Sequence, residues 1–303
     1  MVRVRGSQQG MEVCVESNGL PAGTRIGRVR LRVSDLGRSL AFHEEVLGLV
    51  AGEPDDGVVP VGPAGGEPVL EIQERRGARP APQRATGLYH AAIRLPSRRD
   101  LAHALARARN ARWPLRGLSD HAVSEAIYLA DPDGIGFELY ADRPEEDWPR
   151  PGGELRMTTD PLDVHGLLAQ AGGDPVPPTA PPGTRVGHVH LRVSDLAAAE
   201  SFYARVLGFH VTTRAYPGAL FLAAGDYHHH VAVNVWAGRG VPGATPDAAG
   251  LVWFAVLMPP GAALDDVRAR LEAAGIAVNP ADEGILVVDP DGIGVRLRAV
   301  EIT

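Results

Sequence analysis

Gly23-Thr-Arg-Ile-Gly-Arg-Val-Arg-Leu-Arg-Val-Ser-Asp-Leu36 returns later in the chain as Gly183-Thr-Arg-Val-Gly-His-Val-His-Leu-Arg-Val-Ser-Asp-Leu196. Phe42-His-Glu-Glu-Val-Leu-Gly48 is answered by Phe202-Tyr-Ala-Arg-Val-Leu-Gly208, and Asp131-Pro-Asp-Gly-Ile-Gly-Phe-Glu-Leu139 by Asp289-Pro-Asp-Gly-Ile-Gly-Val-Arg-Leu297. Matches this long, in one order, mean that a single plan is used twice. Residues 26–33 alternate as a strand does, Ser34-Asp35 stand where a helix N-cap belongs, and Gly48 stops a helix running to Leu47. Short strand-like runs such as Val69–Gln73 follow.

Each half then divides again. A second cycle opens with a strand at Tyr89–Leu95 and a helix from about Asp100 to Asn110. It closes with strands at Ala126–Leu129 and Gly136–Tyr140, joined by the turn Asp131-Pro-Asp-Gly134. The C-terminal half repeats both cycles, with strands at Val186–Val193, Leu220–Ala223, His228–Trp236, Val252–Leu257, Ile285–Val288 and Val295–Arg298. Its helices fall near Ala197–Leu207 and Gly261–Ala274. The pattern predicts an α+β protein of four βαβββ modules: 22–80 and 86–143 in the first half (22–143), 182–240 and 249–300 in the second (182–303). Residues 1–21 form an N-terminal extension. Residues 144–181, rich in proline and glycine, form a linker with a short helix near Pro161–Ala171.

Composition narrows the class. With 303 residues and 45% hydrophobic content the chain can bury a substantial core, and disordered or disulfide-scaffold readings fall away. A net charge of -7 offers no basic stripe for a phosphate backbone, so nucleic acid is not an expected partner. The one cysteine, Cys14, excludes intrachain disulfides and cysteine zinc sites and fits a reducing cytoplasm. No apolar run nears the ~20 residues that span a bilayer, and the polar N-terminus lacks a signal-peptide core. A cytoplasmic protein without a membrane partner is expected.

The strand His-x-x-x-Arg-Val-x-Asp-Leu, the helix ending Phe-Tyr-x-x-Val-Leu-Gly and the closing Asp-Pro-Asp-Gly-x-x-x-Glu-Leu-Tyr resemble the vicinal oxygen chelate superfamily. That superfamily includes glyoxalases, bleomycin-resistance proteins, epimerases and extradiol dioxygenases. The resemblance covers roughly residues 22–143 and 182–299. Gly-Leu-Tyr-His90, Ser119-Asp-His-Ala-Val-Ser-Glu-Ala-Ile-Tyr128 and Tyr227-His-His-His230 are most similar to its two-domain catechol-2,3-dioxygenase-like branch. It implies that two modules form a half-open barrel around a divalent ion. The ligands implied are a His on the first strand of each module and a Glu on the last strand of one.

Alternation supplies an independent check on direction. Val189, Leu191 and Val193 share one strand face, opposite His188, His190 and Arg192. His90 lies opposite Ala91, Ile93 and Leu95, and Glu138 opposite its apolar neighbours. The four first-strand positions carry Arg28, His90, His188 and Trp253; the two last-strand positions carry Glu138 and Arg296. Pairing the modules in sequence order leaves neither cavity with a metal site. Pairing the second with the third collects His90, Glu138 and His188, a two-His-one-carboxylate set. The leftover cavity, from modules one and four, is degenerate. Two half-open barrels with helices outside, paired in this inner and outer fashion, are therefore expected, with one metal site.

Alternation also places His228, His230 and Asn234 on the cavity face and His229 with the valines. The resemblance implies an acid–base histidine on this strand, with His230 matching best and His228 second. It also implies a tyrosine beside the bound diol, at Tyr128. His121, on a loop near the cavity mouth, is a candidate for orienting substrate. Asp131, Asp133, Asp289 and Asp291 read as turn formers, since both halves keep them whatever their metal status. Gly238-Arg-Gly-Val-Pro-Gly243 lacks the lysine and helix of a phosphate loop. It reads as a flexible connection.

The first functional reading is an extradiol ring-cleaving dioxygenase using Fe(II), with Mn(II), Zn(II), Ni(II) or Co(II) as alternatives, on a small molecule with vicinal oxygens. The second is a metal-dependent isomerase or epimerase of an α-hydroxyketone, such as a cyclitol ketone. Low aromatic content (5%) and the small Ala91 and Ala92 beside His90 speak for it. The third is a metal-free binding or resistance protein. A homodimer is left open.

Overall fold

The repeated strand-to-helix junction folds as its residues dictate. Asp35 sits in extended backbone and its carboxylate accepts from Arg38 N; Asp195 does the same for Ala198 N, satisfying amide groups that a helix start leaves unpaired. Both helices relax from an α-helical into a π-helical turn, Leu36–Phe42 into His43–Leu47 and Leu196–Glu200 into Ser201–Val206. Gly48 closes the first in the left-handed conformation, at φ +70°, where a side chain would be strained.

The computed structural model describes residues 19–301 apart from positions 174 and 283. Cys14 and nearly all of the N-terminal extension lie outside the described residues. The first module contains β1 (Arg25–Val33), α1 (Leu36–Phe42 with its π turn), β2 (Val50–Ala51), β3 (Val58–Gly62) and β4 (Leu70–Glu74). The second contains β5 (Gly87–Arg94), α2 (Arg98–Asn110), β6 (Leu115–Asp120), β7 (Ser124–Ala130) and β8 (Gly136–Asp142). The linker carries β9 (Asp160–Pro161) and α3 (Val164–Ala169). The third module has β10 (Arg185–Arg192), α4 (Leu196–Glu200 with its π turn), β11 (His210–Thr213), β12 (Ala219–Ala223) and β13 (Val231–Asn234). The fourth has β14 (Gly250–Met258), α5 (Ala263–Ala273), β15 (Asn279–Ala281), β16 (Gly284–Val288) and β17 (Gly294–Ala299).

Two curled sheets result. One runs β15-β16-β17-β14-β1-β4-β3-β2 and joins modules four and one; the other runs β11-β12-β13-β10-β5-β8-β7-β6-β9 and joins modules three and two. The inner pairing expected from ligand retention is the one the sheets adopt. At the inner seam β5 and β10 run antiparallel with His90 opposite His190 and Ala91 opposite Val189; at the outer seam Trp253 lies opposite Arg30. Val189, Leu191, Ala91 and Ile93 are buried against the helices in a core continuous across both barrels, which leaves the opposite face of each strand to the cavity.

The two aspartate turns fasten one barrel to the other. Asp131 Oδ1 accepts from the amides of Asp133 and Ile135, shaping the turn. Asp133 then reaches module one, accepting from Ser34 N and Oγ and from Arg38, each at 2.6 Å. Asp289 shapes its turn in the same way, and Asp291 accepts from Ser194 N. Arg107 caps the carbonyls of Val46 and Leu47 at the end of the π turn, and Arg270 those of Val206 and Leu207. Consecutive modules are thus tied by turns and caps, and the sheets are shared across the halves. Among the described residues no helix is long and apolar enough to cross a membrane.

Candidate metal centre and active site

His90 projects from β5, Glu138 from the neighbouring parallel strand β8, and His188 from β10 across the seam. Gly187 makes room for this: a side chain there would overlap the Tyr140 hydroxyl. The three candidate ligand atoms lie within 4.8 Å of one another, and all three residues are buried. His90 Nε2 is 2.9 Å and His188 Nε2 3.2 Å from the same oxygen, Glu138 Oε2. His90 Nε2 nevertheless makes no aligned hydrogen bond to any described residue.

The electrostatics suit a cation. Burial lowers the His188 pKa to about 4, against the opposing pull of Glu138, so its imidazole is neutral near pH 7. Burial would raise the Glu138 carboxyl, but the His188 and His90 rings outweigh it and hold the group ionised. The result is a buried, ionised carboxylate between two imidazole rings, a charge of the kind proteins rarely leave uncompensated. Two imidazoles and a carboxylate are the donor set of open-sided sites for Fe(II), Mn(II) and similar ions. These residues fit a divalent metal.

Around the cluster lies a cavity of about 320 Å³. His121 and Tyr128 both line it and are joined, His121 Nε2 to the Tyr128 hydroxyl at 2.7 Å. Because His121 Nδ1 donates to Thr158 O at 2.6 Å, its Nε2 accepts the phenol proton. Burial, then the charge of Glu138, pushes the Tyr128 phenol well above its ordinary pKa, so it remains a donor. The loop residue and the strand residue singled out in the sequence meet in one hydrogen bond.

The histidine run differs from expectation. His229 lines the cavity, its ring centroid 4.0 Å from that of His188, while His228 and His230 lie behind the wall. His230 Nδ1 accepts from Ala224 N, and its ring packs on Tyr227 and Phe209. The cavity-facing placement of His228 and His230 is therefore corrected to His229. The physical reason is that β13 begins at Val231; residues 228–230 bend, and alternation cannot be carried back through them.

His228 has a different part. Its Nε2 lies 2.9 Å from Asp142 Oδ1, and its Nδ1 2.8 Å from His229 Nδ1. Asp142 also pairs with Arg94 at 2.6 Å and accepts from Tyr227. Burial would raise the Asp142 carboxyl, but His228 and Arg94 hold it below its usual range. An ionised Asp142 makes His228 Nε2 the donor; with His228 Nδ1 accepting from His229 Nδ1, the lone pair of His229 lies on Nε2, and burial, then the neighbouring histidines, lowers the pKa of that ring well below its ordinary value. The sequence held one signal for Asp142: it lies two and four positions beyond Tyr140 and Glu138 on one strand, hence on the same face.

Tyr89, Tyr128, Phe137, Tyr216, Phe221 and Trp236 all line the cavity. Aromatics are scarce in the chain but gathered where a flat ring would bind, which removes the compositional argument for a hydroxyketone substrate.

Residues 25–139 and 185–297 match the Glyoxalase/Bleomycin resistance protein/Dioxygenase superfamily. A catechol-2,3-dioxygenase of Bacillus subtilis (strain 168) is 42% identical over 271 residues, 88% of this chain and 94% of that protein. A biphenyl-2,3-diol 1,2-dioxygenase 3 of Rhodococcus globerulus is 34% identical over 119 residues, 38% of this chain and 62% of that one. Among solved structures, a dioxygenase candidate from Bacillus subtilis subsp. subtilis str. 168 superimposes with a TM-score of 0.61 at 14% identity, covering 91% of this chain and 84% of the other. Glyoxalase I from Zea mays gives 0.52 at 19% identity, covering 90% and 92%. At these identities the structures speak for the fold.

Proposed function

We propose that this chain, which belongs to the Glyoxalase/Bleomycin resistance protein/Dioxygenase superfamily, opens the ring of a catechol-type substrate beside its two hydroxyls. It is a metal-dependent, extradiol dioxygenase-like enzyme. The ion would be held by His90, Glu138 and His188, and iron(II) is the proposed occupant, with manganese(II) as the alternative. One observation carries the proposal: these residues share a single aromatic-lined cavity with Tyr128, His121 and His229.

When bound, a divalent ion supplies Lewis acidity toward two adjacent oxygens. The chain's own residues do the rest. The aromatic wall binds a flat ring and excludes water from it. Tyr128, kept protonated with its proton given to His121, offers its phenol oxygen as acceptor to a hydroxyl of the bound diol. His229 Nε2, left unprotonated by the His228–Asp142 chain behind it, takes a diol proton and returns one to the product. Both atoms of dioxygen enter the opened ring, so no external reductant is consumed.

Simultaneous measurement of dioxygen and catechol consumption by iron(II)-loaded protein tests this. One dioxygen per diol is expected. Metal-loaded protein that binds a catechol without consuming dioxygen would contradict it.

A further inference from the structure

We propose that the substrate's diol-bearing ring also carries a carboxylate, and that Arg116 at the rim of the cavity receives it. This rests on the reading of the cavity as a diol site. Arg116 lies on β6, where the pairing with β7 slips between Leu115 and Gly117. A bulge of this kind re-aims a side chain that strict alternation would send elsewhere. Gly117, Ser119 and His121 alternate onto the cavity side, and the slip adds Arg116 to the same lining. Gly117 lies opposite Tyr128, so the guanidinium enters from the strand pair that supplies the diol-binding phenol.

Arg116 has no ion pair or hydrogen bond to any described residue. Most other arginines near the cavity are committed: Arg94 to Asp142, Arg98 to Glu125, Arg143 to Asp120. Arg192, close behind the rim, is buried and bonded only to the carbonyls of Gln83 and Leu88, with its Nε unpaired. Burial lowers its pKa against the opposing pull of Tyr89, with a smaller lowering contribution from the charge of Arg116. Among the described residues, the only acidic one lining the cavity is Glu138, on the proposed metal side. The cavity is thus polarised, with a cation site at its floor and an anion site at its rim. A planar, five-donor guanidinium matches a carboxylate better than any neutral substituent.

The test uses full-length, metal-loaded protein and two catechols of similar size, 3,4-dihydroxyphenylacetate and 4-ethylcatechol. Affinities are measured by anaerobic calorimetric titration, which needs no turnover, and oxygen uptake is measured separately. The anionic catechol is expected to bind about tenfold more tightly, with the advantage shrinking as salt is raised. Arg116→Gln should abolish the preference, Arg116→Lys retain part of it, and Arg116→Glu reverse it. Equal affinity for the two catechols, binding of neither, or equal effects of Arg116→Gln on both, overturns the proposal. If the anionic preference holds and depends on Arg116 while no dioxygen is consumed, the carboxylate site stands and the ring-opening function falls.

Discussion

The two barrels share one plan and spend their cavities differently. At the three corresponding positions the inner barrel has His188, His90 and Glu138, and the outer barrel Arg28, Trp253 and Arg296. The inner set leaves a buried negative charge for a cation to satisfy. The outer set satisfies itself. Arg30 and Arg28 reach Glu71 at 2.7 and 3.4 Å, and the Trp253 ring sits under both Arg30 and Arg296, at 5.0 and 5.2 Å. Cation–π contacts and an internal ion pair occupy the space where the inner barrel presents its candidate ligands. In the proposed reading, three side chains separate a barrel that offers a metal site from one that does not.

The largest expected effect breaks the inner barrel alone. His90→Ala, His188→Ala or Glu138→Gln each lowers metal affinity by more than about 100-fold, since even groups that only support ligands cost ~10–100-fold. Metal content after gel filtration checks this. His229→Ala comes next: kcat falls roughly 10²–10⁴-fold with metal content unchanged, as steady-state kinetics with parallel metal analysis would show.

Acid sharpens the contrast between a histidine that supports the fold and one that is a proposed metal ligand. His43, wholly buried in the π turn of module one, has its pKa lowered to about 4 by burial, against the Ser39 carbonyl that its Nδ1 meets at 2.7 Å. His188 is lowered equally far. A depressed folded pKa gives stability that is complete above pH ~6.5 and lost as pH falls toward 4, because the unfolded chain takes up the proton first. For His43 this amounts to about 3 kcal/mol. His43→Leu should flatten that part of the acid limb in urea unfolding at pH 7 and pH 4.5 without altering metal content.

Smaller effects concern what the barrels share. Asp133→Ala and Asp291→Ala should each cost roughly 1–3 kcal/mol in urea unfolding and leave metal content intact, because each removes a clamp between modules and no ligand. Arg28→His is the smallest. One histidine opposite Trp253 and Arg296 does not make a site, so metal stoichiometry stays at one ion per chain and oxygen uptake stays within about twofold.

Much of this was legible in the sequence because two signals are local. Repetition reveals the modules, and alternation along Val186–Val193 and Tyr89–Leu95 orients His188 and His90. The inner pairing followed from chemistry, since only one arrangement of modules assembles a ligand set. Alternation misled at His228–His230, where backbone bending is decided by tertiary contacts such as His228 to Asp142 and its neighbour Trp148. The aspartate turns read correctly as turns, yet their clamping of Ser34 and Ser194 depends on contacts between modules that no local pattern encodes. The aromatic lining was hidden for the same reason: six rings from β5, β7, β8, β12 and the loops meet only after folding.

Anomalous diffraction from crystals soaked anaerobically in iron(II) would locate every bound ion directly. One peak per chain, bonded by His90, Glu138 and His188, is the predicted result. A peak in the outer barrel, or none among these three side chains, would contradict it.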